Sequence, residues 1–107
     1  MANGTLGKAA LIGGTNTPIY TAGGSLMALV NINFVNLDPI KEAKVRIAVG
    51  KLVSVSPEDY VEYNVKLDPD GGVLERTGLV IGPLDIVYVY SDISNVTARI
   101  YGYESPA

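Results

Sequence analysis

Cysteine, histidine and tryptophan are all missing from this 107-residue chain, and charged residues are only 18% of it. The lack of cysteine excludes disulfides, thiolate metal sites and a cysteine nucleophile together. The lack of histidine removes the commonest general base, and neither a GxSxG nor an SxxK pattern supplies a substitute. The chain is therefore read as a non-enzyme. Positive charge is also scarce: 8 Lys and Arg against 11 Asp and Glu leave a net charge of −3. The cations are scattered from Lys8 to Arg99, whereas a nucleic-acid binder needs them gathered on one face. No apolar run approaches the ~20 residues of a spanning helix. MANGTLGKAALIGG has neither a basic n-region nor a long apolar h-region, so synthesis in a cytoplasm without a signal peptide is expected, with no nucleic-acid or membrane partner.

What is present is apolar residues, 48% of the chain, enough for one modest core in a single domain spanning 1–107. Their period is two. In SLMALVNINFVN the positions Leu26, Ala28, Val30, Ile32 and Phe34 are apolar, as in a strand with one buried face. Met27, Leu29 and Val35 blur the contrast and suggest that part of the second face is covered too. KVRIAVG sets Val45, Ile47 and Val49 against Lys44, Arg46 and Ala48, while YVEYNVKL sets Val61, Tyr63, Val65 and Leu67 against Tyr60, Glu62, Asn64 and Lys66. Such alternation marks antiparallel strands, since parallel ones read as continuous apolar runs. Breaks at Gly13-Gly14, Gly23-Gly24, Asp38-Pro39, Ser56-Pro57, Asp68–Gly72 and Gly82-Pro83 leave room for little more than one helical turn, near Pro39.

Strands are expected around 7–12, 18–21, 26–36, 44–53, 60–67, 73–80, 85–91 and 96–103. The fold class is all-β: an antiparallel sandwich or small barrel of seven or eight strands, jelly-roll or immunoglobulin-like. Residues 1–8 read as a flexible N-terminal arm.

The local motifs each have a plain structural explanation. In LDPDGG, Asp68 and Asp70 could begin a calcium site, but the loop lacks the further ligands of an EF-hand and reads as a tight turn. Adjacent Glu58 and Asp59 would point to opposite faces of a strand and read as solvated loop charges. Asn95-Val96-Thr97 matches a glycosylation acceptor and, without a secretory signal, is a chance match. GTLGKAALIGG lacks the glycine–lysine order that cradles phosphate. No cofactor and no metal are expected.

The tyrosines of LDIVYVYSDISNVTARIYGYES are more suggestive. The segment reads as a hairpin with Val87, Val89, Val96, Ala98 and Ile100 turned inward, which turns Tyr88, Tyr90, Tyr101 and Tyr103 outward together with Arg99. An outward aromatic set can be a cross-strand stripe, a stacking platform for sugar rings or bases, or a protein interface. Low charge and the second apolar face on Met27, Leu29 and Val35 favour the interface over the stacking platform.

In order, LGKAAL, IYTAGGSLMALVNINFVNLD, KVRIAVG, PEDYVEYNVKLDPDG and GLVIGPLDIVYVYSDISNVTARIYGYE resemble the small all-β virion proteins of tailed bacteriophages, particularly those infecting cyanobacteria and other marine bacteria. The resemblance covers nearly the whole chain. It implies a structural protein of the virion, assembled in the host cytoplasm, that decorates and cements the capsid by clamping major capsid subunits, often as a homotrimer. Tail, neck or fibre-attachment components share this size and fold, and a carbohydrate-binding β-sandwich module is the competing class. For cementing, the expected contact residues are Tyr88, Tyr90, Arg99, Tyr101 and Tyr103, with Asn3 to Lys8 lying along a neighbouring subunit.

Overall fold

A computed structural model describes residues 2–51 and 53–107. The described residues form eight strands: β1 (Asn3–Ala10), β2 (Thr17–Thr21), β3 (Leu26–Asn36), β4 (Ala43–Gly50), β5 (Tyr60–Leu67), β6 (Val73–Ile81), β7 (Ile86–Ser91) and β8 (Val96–Pro106). The turn expected near Pro39 is not helical. There the Asp38 carboxylate accepts hydrogen bonds from the backbone N–H groups of Ile40 (2.9 Å) and Lys41 (2.7 Å), closing a tight side-chain turn. Those two donors also hold the Asp38 carboxyl below its ordinary value. A 3₁₀ turn lies instead at Pro57–Asp59, where the Asp59 carboxylate accepts from Ser56 N–H at 3.0 Å.

The strands form two four-stranded antiparallel sheets, ordered β1-β8-β3-β6 and β2-β7-β4-β5. The pairs β1–β8, β2–β7, β3–β6 and β4–β5 are nested, like a long hairpin folded at β4–β5 and rolled up. That order is a jelly roll, a sandwich of two sheets rather than a closed barrel, and it excludes the immunoglobulin-like alternative. Inward residues from both sheets fill the core: Val30, Ile32, Phe34, Ile81, Val96 and Ile100 from one, Val45, Ile47, Val87 and Val89 from the other, each at most 1% exposed.

Two expectations fail against this topology. The segment Leu84–Ser105 is not a hairpin, because β7 and β8 belong to opposite sheets. Their apolar faces meet across the core instead of lying edge to edge; alternation reports which face is buried and carries no information about the neighbouring strand. Of the expected arm 1–8, Met1 lies outside the described residues, and from Asn3 onward the chain is not free but forms β1, in register with β8 from Asn3↔Tyr103 to Ala10↔Thr97. Glycine makes that edge possible: a Cβ on Gly7 would lie 2.2 Å from the Ile19 carbonyl oxygen, where β1 crosses close over β2.

Candidate binding surfaces on the two outer faces

On the outer face of the β2-β7-β4-β5 sheet, cross-strand register places Pro18, Tyr88, Ala48 and Tyr60 in one row. The next row brings Arg46 opposite Tyr90. The Arg46 guanidinium is held between two rings, its Cζ 4.4 Å from the Tyr63 centroid and 4.3 Å from that of Tyr90, while its Nε donates to Asn64 Oδ1 at 2.7 Å. Tyr60 meets Tyr63 edge to face at 4.8 Å. This is a pre-stacked arginine–tyrosine cluster, held by two cation–π contacts. Tyr63 is 56% exposed at its rim.

Tyr63 was expected on the inward side of its strand. Asn64 adopts a left-handed conformation (φ 52°), and the β4–β5 register shifts between Val45 and Ile47, so a bulge turns Tyr63 outward. Tyr88 also departs from expectation. It lies on the outer face, but only 7% of it is exposed, so it offers little surface to a partner. Its neighbour across the ladder is the small Ala48, itself buried.

The other outer face, on β1-β8-β3-β6, gathers five of the expected contact residues. Asn3 faces Tyr103, and Lys8 faces Arg99, each pair directly across the β1–β8 ladder, while Tyr101 sits in the row between them opposite Thr5. Continuing across the sheet, Arg99 is opposite Asn33, and Asn33 opposite Glu75, so Lys8, Arg99, Asn33 and Glu75 form one row over four strands. The face is hollowed into an open groove of about 830 Å³. The Tyr101 hydroxyl donates to Glu75 Oε2 at 2.5 Å, which raises the phenol above its ordinary pKa and fixes the ring. Tyr103 is 52% exposed beyond the groove. The four tyrosines of β7 and β8 thus divide between opposite sides of the molecule. Met27, Leu29 and Val35 are half-buried on this same face.

The Asp68–Gly72 segment is the expected tight turn. Its backbone is tied to β3 and the following loop: Gly71 N–H donates to Asn36 O (2.8 Å), Asp70 N–H to Asp38 O (2.7 Å) and Gly72 N–H to Asp68 O (3.1 Å). No group of three or more acidic side chains gathers to hold a metal ion among the described residues.

Where the chain ends meet β2, the Tyr20 hydroxyl donates to Glu104 Oε2 at 2.5 Å, and Glu104 Oε1 accepts from Ala2 N–H at 2.9 Å. Burial, then the carboxylate, pushes the Tyr20 phenol well above its ordinary 10.0. The Tyr20 hydroxyl and Ala2 N–H together hold Glu104 below its usual range. The unfolded chain therefore loses the Tyr20 proton first, and stability should fall as pH rises past about 10. In Tyr20→Phe, urea unfolding followed from pH 8 to 11 should show a shallower alkaline decline; an unchanged slope would contradict the assignment. On the acid side the Glu104 contribution is present above its ordinary 4.5 and is lost as pH falls through the lower folded-state value.

Fold and surfaces together define a small jelly-roll β-sandwich with one aromatic–arginine face and one grooved polar face. Compared with known proteins, the chain matches no family model, no curated protein and no solved structure.

Proposed function

We propose that the protein is a structural component of a bacteriophage particle that decorates and stabilises the capsid shell, with the major capsid protein as its partner. The jelly roll is an architecture of viral shell proteins, a fold-level analogy that agrees with the sequence resemblance. The observation that carries the contact reading is the Tyr63–Arg46–Tyr90 stack. Tyrosine and arginine are enriched, with tryptophan, among the hot spots of protein interfaces, and rings already fixed in place lose little entropy on docking. Repetition of one such face over a symmetric shell multiplies a modest contact into stable occupancy.

The contact residues accordingly change from the sequence expectation. Tyr90 stays, Arg46 and Tyr63 join it, the buried Tyr88 leaves, and Asn3, Lys8, Arg99, Tyr101 and Tyr103, which lie on the opposite sheet, leave with it. Arg46→Ala combined with Tyr63→Ser should reduce occupancy on mature heads of the encoding phage at least tenfold, measured by quantitative gel analysis of pelleted heads. Because Tyr63 is more than half exposed and a cation–π contact contributes about 1 kcal/mol at such sites, the double variant should stay folded. Undiminished occupancy by a folded variant would refute this face as the contact.

A further inference from the structure

Lys8 and Arg99 face each other directly across the β1–β8 ladder on the groove floor. Like charges in that position repel and destabilise the sheet. The ion pairs among the described residues are Lys51–Asp85 and Arg76–Glu62, so neither cation is neutralised by a carboxylate of its own chain. Both side chains are exposed, as are Lys44 and Lys66, which face each other across the β4–β5 ladder; what sets Lys8 and Arg99 apart is that they line a hollow together with polar and aromatic groups.

The rest of the groove is equally specific. Glu75 stands two strands from Arg99, about 10 Å away at the usual strand spacing. Asn33 lies between them and offers an amide, Thr97 offers a hydroxyl beside Arg99 on β8, and Tyr101 presents a ring whose hydroxyl is bonded to Glu75. A groove of about 830 Å³ falls within the range of small-ligand sites. Its occupant must bring negative charge to the Lys8–Arg99 side and hydrogen-bond donors to the Glu75 side. A purely acidic peptide meets repulsion at Glu75, and a neutral sugar leaves the cations unanswered.

We infer that this groove binds a short carboxylated oligosaccharide, its carboxylate on Lys8 and Arg99, its hydroxyls on Asn33 and Glu75, and a ring face on Tyr101. This goes beyond the shell-binding role and uses the opposite side of the molecule.

Isothermal titration calorimetry of the purified protein with trigalacturonate, 3′-sialyllactose, maltotriose and hexaglutamate tests it. At least one of the two acidic saccharides should bind saturably, maltotriose and hexaglutamate at least tenfold more weakly. Arg99→Gln and Lys8→Gln should each weaken the acidic saccharide at least fivefold while leaving the thermal midpoint equal or higher, because they relieve a like-charge contact. Silence of both acidic saccharides at millimolar concentration overturns the inference, as does equal or tighter binding of maltotriose or hexaglutamate, or affinity that survives both substitutions. Arg46→Ala with Tyr63→Ser should retain saccharide binding, and Arg99→Gln should retain head binding, so the two roles fail separately.

Discussion

Asn36→Leu should lower the thermal midpoint by roughly 12 °C or more, equivalent to about 3 kcal/mol in a domain of this size. Asn36 is fully buried, yet it is polar. Its amide nitrogen is shared among the carbonyls of Lys41 (2.9 Å), Asp68 (3.2 Å) and Leu67 (3.4 Å), and its Oδ1 accepts from Asp38 N–H at 3.0 Å. One side chain thus fastens the end of β3, the β3–β4 loop and the end of β5. Leucine has the same branched outline but is bulkier, and it leaves three carbonyls and one N–H without that partner; unsatisfied buried groups cost about 1–3 kcal/mol each. Asn33→Leu, on the half-buried outer side of the same strand, supplies the comparison and should change the midpoint by only a few degrees. Thermal melts by circular dichroism decide between them. Equal shifts for the two variants would mean that the Asn36 network contributes nothing beyond burial.

Gly102→Ala should abolish folding, or cost more than about 4 kcal/mol. A Cβ at Gly102 would lie 2.0 Å from the Leu29 carbonyl oxygen and 2.9 Å from Val30 Cα, both backbone atoms that cannot swing aside. β8 and β3 are paired along their whole length, from Leu26↔Pro106 to Asn36↔Val96, and form the centre of their sheet. Relieving the clash requires these strands to part. Gly24→Ala is the control, since its Cβ would sit 3.7 Å from a Leu84 methyl, an ordinary contact. Soluble yield and dispersion of the amide NMR spectrum should collapse for Gly102→Ala and persist for Gly24→Ala. A well-folded Gly102→Ala would show that the β3–β8 ladder has slack the structure does not contain.

Much of the fold was legible in the sequence because alternation follows directly from the pleat. The buried face of β3, the inward valines of β7 and the inward side of β8 were all correctly assigned, and the middle strands fall within a few residues of their expected bounds. Pairing was not legible. Lys8 and Arg99 meet through a register between the two ends of the chain, which no local pattern encodes. The same limit made β7 and β8 look like a hairpin, although the inward faces of both were right.

The misplaced residues have local causes. Tyr63 sits in a run of unbroken period two, and only the left-handed Asn64 beside it reverses its face. Asparagine tolerates that conformation, which was the one available hint of a bulge. Asn3, Gly4 and Gly7 are poor strand formers, so β1 read as an arm; β8 supplies the ladder that local propensity does not. Arg46 was placed on the polar side of its strand, as found, but its two tyrosines come from strands on either side of it.

The two outer faces suit different work. One presents tyrosine rings stacked on Arg46, suited to contact with a protein surface, and the other lines an open hollow with Lys8, Arg99 and Glu75. A protein seated on a shell by the first would hold the second toward solvent, since the sheets stand back to back across one core.

The most direct test of the proposed capsid role is sedimentation of the purified protein with expanded mature heads and, separately, with unexpanded precursor shells of a tailed phage that carries its coding sequence. Saturable binding to expanded heads, at a fixed ratio to the major capsid protein and absent from precursor shells, is the expected result. A protein that stays in the supernatant with both would contradict the capsid role.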